Sequence, residues 1–98
     1  MAKQTEQQVR RKCILYAKER GWVHIRLHFG PGAARGWPDD LFLGFNRKPV
    51  FVEFKGPKGV VSPLQWQRIM LLQDIGMYAD VVRSFREFVV LLEGIPEA

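Results

Sequence analysis

GWPDDLFLGFNRKPVFVEFK, residues 36–55, is the stretch on which the reading of the fold turns. Leu41 to Phe45 and Val50 to Phe54 are short runs rich in β-branched and aromatic residues, separated by the turn-like Asn46-Arg47-Lys48-Pro49. They read as the two antiparallel strands of a hairpin. A turn centred near Arg47 predicts Asp39 opposite Lys55 and Leu41 opposite Glu53. Strand side chains alternate, so Glu53 and Lys55 point one way and Phe54 the other, whatever the register. Asp39 shares the face of Glu53 and Lys55. Asp40 is expected on the opposite face unless the strand bends or bulges there, so Asp39 is the ligand candidate of the two.

Charged groups among Phe, Val and Leu need compensation for lost hydration. One reading is a structural salt bridge between Glu53 and Lys55, with Asp39 as an ordinary turn residue after Pro38. The functional reading is a metal site. Two carboxylates, supplemented by a main-chain carbonyl and water, suit a hard cation such as Mg²⁺ or Mn²⁺. A lysine beside it can stabilise the charge that develops on a phosphodiester during hydrolysis. The whole arrangement favours function over a simple ion pair.

Working outward toward the N-terminus, Trp22 to Phe29 alternates as a strand, with Val23, Ile25, Leu27 and Phe29 on one face and His24, Arg26 and His28 on the other. The histidines read as polar strand positions, because nothing completes a zinc set; Arg26 or His28 can still reach phosphate. Before this strand, Thr5 and Gln8 form a capping box for a helix running to about Arg20, ended by Gly21. Val9, Cys13, Tyr16 and Ala17 are its apolar stripe, and Glu6 extends it, where a carboxylate also suits the positive end of the helix dipole. Arg10-Arg11-Lys12 reads as a solvated face, with phosphate contact as the functional alternative. The loop from Gly30 to Gly36 lacks the Gly-Lys-Ser/Thr ending of a nucleotide-binding loop, so no nucleotide cofactor is expected; Arg35 there suits a DNA contact, and an ordinary connection is the equal alternative.

Beyond Lys55, Gly56-Pro57-Lys58-Gly59 is a turn-rich loop in which Lys58 can meet a DNA backbone. Ser62 caps a second helix with Pro63 at its first position, Gln65 in the capping-box place and Gly76 at its end. Leu64, Leu71, Leu72 and Ile75 are its expected buried side, widened by Trp66, Ile69 and Met70. Tyr78 to Arg83 reads as a last strand, and Ser84 and Glu87 as a capping box for a short helix carrying Phe88, Val89, Leu91 and Leu92.

The 98 residues, 47% hydrophobic and 26% charged, fit one compact domain spanning 1–98. The net charge of +5 is uneven: residues 1–58 carry 12 Lys/Arg against 5 Asp/Glu, and residues 59–98 carry 3 against 5. The basic part surrounds the candidate site, which favours an anionic polymer as partner. The single cysteine, Cys13, excludes an internal disulfide and a cysteine-based zinc site. Apolar runs are strand-length and MAKQTEQQVRRK lacks a signal-peptide core, so an intracellular, cytoplasmic protein without a membrane span is expected.

Glu6, Gly36-Trp37-Pro38-Asp39, Glu53-Phe54-Lys55, Ser62-Pro63-Leu64-Gln65 and Gly76 occur in an order that resembles the VRR-NUC (virus-type replication-repair nuclease) domain of the PD-(D/E)xK nuclease superfamily. The resemblance spans nearly the whole chain, and the length is similar to that of stand-alone bacteriophage members. It implies an α/β fold with a restriction-endonuclease-like αβββαβ core, a mixed sheet flanked by helices, plus a short C-terminal helix. It also implies a Mg²⁺- or Mn²⁺-dependent endonuclease in which Asp39, Glu53, the Phe54 carbonyl and Glu6 face the metal, Lys55 serves the attacking hydroxide and the phosphate, and Gln65 orients. The candidate DNA contacts, read from the basic residues themselves, are Arg10, Arg11, Arg26, Arg35 and Lys58. Small relatives act as homodimers on branched DNA, notably the four-way (Holliday) junction, and leave a 5′-phosphate. The alternatives are a flap or duplex nuclease of the same fold and a non-catalytic DNA-binding or assembly module.

Overall fold

A computed structural model describes residues 4–27 and 35–98. His28, Phe29 and most of the loop before Gly36 lie outside the described residues. The order is α1 (Glu6–Glu19), β1 (Val23–Arg26), β2 (Asp40–Leu43), β3 (Val50–Phe54), α2 (Pro63–Asp74), β4 (Tyr78–Val82) and α3 (Phe85–Glu93). The four strands form one sheet in the order β1-β2-β3-β4. β1, β2 and β3 are antiparallel neighbours; α2 carries the chain across to β4, which pairs parallel to β3. The expected αβββαβ core with one additional helix is the observed architecture.

The ends of the helices are set by their caps. Thr5 and Gln8 close the capping box of α1, and Ser62 and Gln65 close that of α2. Gly21 and Gly76, at φ +84° and +91°, turn the chain out of the two helices in the left-handed region that suits glycine. Ser84 caps α3, but the Glu87 carboxylate accepts from the Arg83 N–H and not from Ser84, so that box is displaced by one residue.

The hairpin register differs from expectation. Asp40 pairs with Val52, Leu41 with Phe51 and Phe42 with Val50. Asn46, at φ +56°, places the turn nearer residue 46 than 47, which slides the pairing by two residues and keeps every side chain on its predicted face. Continuing the ladder by one step brings Asp39 beside Glu53, where Lys55 was expected.

Two apolar layers sandwich the sheet. α1 and α3 pack on the face carrying Phe42, Val50, Val52, Phe54 and Val82. Phe88 of α3, with no exposure, lies 5.0 Å from Phe42 and 6.0 Å from Phe54 between ring centroids. α2 covers the other face through Ile69 and Leu72, against Ala79, Phe51 and Val81. The expected buried side of α2 was centred elsewhere: Leu71 and Ile75 are exposed, because the helix meets only the β3–β4 half of the sheet and its contact stripe runs through 69 and 72. On the β1–β2 half of that face Val23, Ile25 and Leu43 remain exposed among the described residues.

Gly36, at φ +83°, leads into Pro38-Asp39, and a Cβ there would lie 2.6 Å from Leu64 Cγ of α2. Gly36→Ala therefore meets both backbone strain and a steric clash. The expected cost is about 1–3 kcal/mol in a urea unfolding titration.

Candidate active site

The open ends of β2 and β3 and the first turns of α1 meet at one place. Asp39 precedes β2, and its backbone carbonyl accepts from the Leu27 N–H at 2.7 Å, which extends the β1–β2 ladder to the edge of the site. Glu53 and Lys55 come from the end of β3, where the Lys55 N–H donates to the Val82 carbonyl of β4. Glu6 arrives from the start of α1; a Cβ on Gly56 would lie within 3.5–3.7 Å of Glu6 backbone and side-chain atoms.

These groups are buried to very different extents. Asp39 and Glu6 are about two-fifths exposed, whereas Glu53 is only 3% exposed. Lys55 Nζ lies 3.7 Å from Glu53 Oε2. Despite that ammonium, the Glu53 carboxyl is pushed up from the ordinary 4.5 to about 7. Burial is the first cause; the neighbouring charges of Asp39 and Glu6 add to it, while Lys55 and Arg10 oppose it. Burial and the neighbouring carboxylates together outweigh what Lys55 and Arg10 do for the ionised form.

That imbalance tests the fit of a metal. The exposed donors are carboxylate oxygens, the ligand type of a hard divalent cation, and such a cation relieves the repulsion that raises Glu53. Asp39, Glu53 and Glu6, with the Phe54 carbonyl at the end of β3, are the residues that would hold it. Among the described residues no three His, Cys, Asp or Glu side chains are already closed around one point. Arg10 lies at ion-pair distance from both Glu6 and Asp39, and Lys55 pairs with Glu53.

Arg10 is the main correction to the expected DNA contacts. It is buried, not on a solvated face. Its Nε donates to Asp40 Oδ2 at 3.1 Å, and its Nη2 lies 3.3 Å from Glu6 Oε2 and 3.9 Å from Asp39 Oδ2. Glu6 and Arg10 are one helical turn apart, a spacing that carries this pairing in the sequence itself. Asp40 is fully buried on the opposite face from Asp39, as alternation requires, and its second oxygen lies 2.7 Å from His24 Nε2. His24 therefore serves as a partner to a buried carboxylate.

Arg11, Arg35 and Lys58 are exposed, Arg11 on the outer side of α1 beside Lys12 and Leu15, and Arg26 Nη2 lies 4.0 Å from Asp39 Oδ2. Gln65 spends its side-chain oxygen on the Ser62 N–H at 2.9 Å, so its hydrogen bonds among the described residues serve the helix cap and not Lys55. Sequence reading missed Arg83. Its Nη1 donates to the Gly56 and Gly59 carbonyls at 2.9 and 2.7 Å, folding the loop so that a Cβ on Gly59 would touch the Lys55 stem at 3.3 Å. No local motif marks it. Arg68 similarly holds the other loop, donating from Nε to the Arg35 carbonyl and lying over Trp37.

No protein-family model matches the chain, and no curated protein matches it. A solved structure described as a VRR_NUC domain does: at 23% identity and a TM-score of 0.77 it covers 91% of this chain and 95% of its own. The chain therefore has the fold of a VRR_NUC domain, a restriction-endonuclease-like mixed sheet flanked by helices.

Glu53 gives this site a pH signature. Its carboxyl is raised in the folded state, so its contribution to stability is fully present below pH 4.5 and lost as the pH rises through about 7. The loss is on the order of 3 kcal/mol. Urea unfolding in EDTA at pH 5 and pH 8 should show the wild type losing stability across this range by that margin relative to Glu53→Gln.

Proposed function

We propose that this chain is a divalent-metal-dependent DNA endonuclease that hydrolyses phosphodiester bonds. The observation that carries the reading is the convergence of Asp39, Glu53 and Lys55 at one sheet end, where burial first and the neighbouring Asp39 and Glu6 carboxylates second push the Glu53 carboxyl up to about 7. The fold shared with a VRR_NUC domain supports it.

In this reading Mg²⁺ or Mn²⁺, held by Asp39, Glu53, the Phe54 carbonyl and Glu6, supplies Lewis-acid charge to phosphate hydrolysis. Lys55, fixed by the Gly56–Gly59 loop and paired with Glu53, orients the attacking water and balances the negative charge that accumulates on the phosphate. Burial of Glu53 keeps bulk water from screening that charge. Gln65 supports the site by fixing the start of α2. Arg11, Arg26, Arg35 and Lys58 supply sequence-independent phosphate contacts on the basic rim.

The substrate in this proposal is branched DNA, the four-way junction first, cut by a homodimer that presents two sites. The exposed Val23, Ile25 and Leu43 on the β1–β2 half of the sheet offer apolar area for a second copy. No described helix is long and apolar enough to cross a membrane.

The test is cleavage of labelled four-way junction, 5′ flap, single-stranded and linear duplex DNA with Mn²⁺, Mg²⁺ or EDTA. Junction cutting that requires the metal and falls at least about 100-fold in Lys55→Ala is the expected result. Cutting confined to flaps or duplex would replace the substrate, and metal-dependent binding with no cleavage of any substrate would replace the enzyme with a binding module.

A further inference from the structure

Asp40 and His24 lie behind the proposed metal ligands, and the buried guanidinium between them and the site has an odd balance of partners. Arg10 Nη2 is, among the described residues, the one buried side-chain nitrogen or oxygen without a hydrogen bond. It sits at ion-pair distance from Glu6 and Asp39, 3.3 and 3.9 Å, without proper hydrogen-bond geometry to either. The other side of the guanidinium is well anchored: Nε donates to Asp40, Asp40 meets His24, and the guanidinium carbon lies 5.4 Å from the Phe54 ring centroid. His24 packs in turn on Phe42, 5.0 Å between ring centroids.

A buried arginine with an unmet donor is costly if its only task is to tie a helix to a strand. Its geometry suits another task. Glu6 and Asp39 come from separate elements, carry like charge and are both partly exposed, so the backbone contacts that place each segment do not by themselves fix the distance between the two carboxylates. Arg10 touches both from a rigid, buried base. Metal ligands are held in productive orientation by such partners behind them.

We propose that His24, Asp40 and Arg10 form a positioning chain, running from the core to the metal site, that sets Glu6 and Asp39 at the spacing a divalent cation needs. The inference rests on the reading that this site binds such a cation. Asp39 and Asp40, adjacent in sequence, thereby divide their work: Asp39 faces the ion and Asp40 holds the arginine that aligns it.

Mn²⁺ titration of the metal-free protein by calorimetry, with no DNA present, tests this directly, with thermal melting to confirm folding. Arg10→Lys keeps the charge and loses the planar fork, and is expected to weaken Mn²⁺ binding by about 10-fold or more. His24→Phe, which touches neither Glu6 nor Asp39, is expected to weaken it similarly, while His24→Gln, whose amide can still donate to Asp40, stays within about 3-fold of wild type. If Arg10→Lys does not fold, the His24 pair decides alone. Folded Arg10→Lys and His24→Phe proteins that melt earlier but bind Mn²⁺ like wild type would reduce the chain to a folding staple and overturn the proposal. A wild type that binds no Mn²⁺ would instead remove the functional reading on which it stands.

Discussion

Glu53 is the last but one residue of a strand whose other four residues are Val, Phe, Val and Phe, and it is almost wholly removed from water. Hydration cannot carry its charge, so the surroundings must. Lys55 is two residues along on the same face, and Arg10 reaches in from α1. Yet Asp39 and Glu6 crowd the same space, and the carboxyl still holds its proton up to about pH 7. Much else in the molecule is arranged around that buried carboxyl. The hairpin register brings Asp39 beside it, the start of α1 brings Glu6, and a loop stapled by Arg83 packs against the lysine stem.

Helix α1 serves two surfaces with one periodicity. Val9, Cys13, Tyr16 and Ala17 face the core, and Glu6 and Arg10 continue that stripe toward the site. Arg10 is tolerated there because it does not enter the core unaccompanied: Asp40, with no exposure at all, receives it from β2, and the Phe54 ring lies beneath its guanidinium. The apolar layer and the charged site are therefore continuous through one side chain. The same layer depends on α3. Phe88 joins Phe42, Phe54 and Tyr16, so the helix that reads as a terminal addition is the packing centre that keeps β2 and β3 in place. The other helix, α2, does less for the core and more for the loops: Ile69 and Leu72 meet the sheet, while Leu64 crowds Gly36 and Arg68 holds the Arg35 carbonyl. That crowding aims the segment carrying Asp39.

Short-range pattern was enough for a good part of this. Capping boxes, glycine stops, alternation and helical spacing depend on residues within a few positions of one another. They predicted all three helices, all four strands and the faces of Asp39, Asp40, Glu53 and Lys55. The faces survived an error in register because a slide of two residues leaves alternation intact. Tertiary packing decided what no local pattern contains. Whether Arg10 meets solvent or Asp40 depends on how α1 lies across β2, thirty residues away in sequence. Which stripe of α2 is buried depends on its covering only half of a sheet face, and Arg83 reaches Gly56 and Gly59 because β4 runs parallel to β3. Burial, ion pairing and the raised proton affinity of Glu53 are sums over neighbours brought together through space, so they exist only once the sheet and helices have closed around the site.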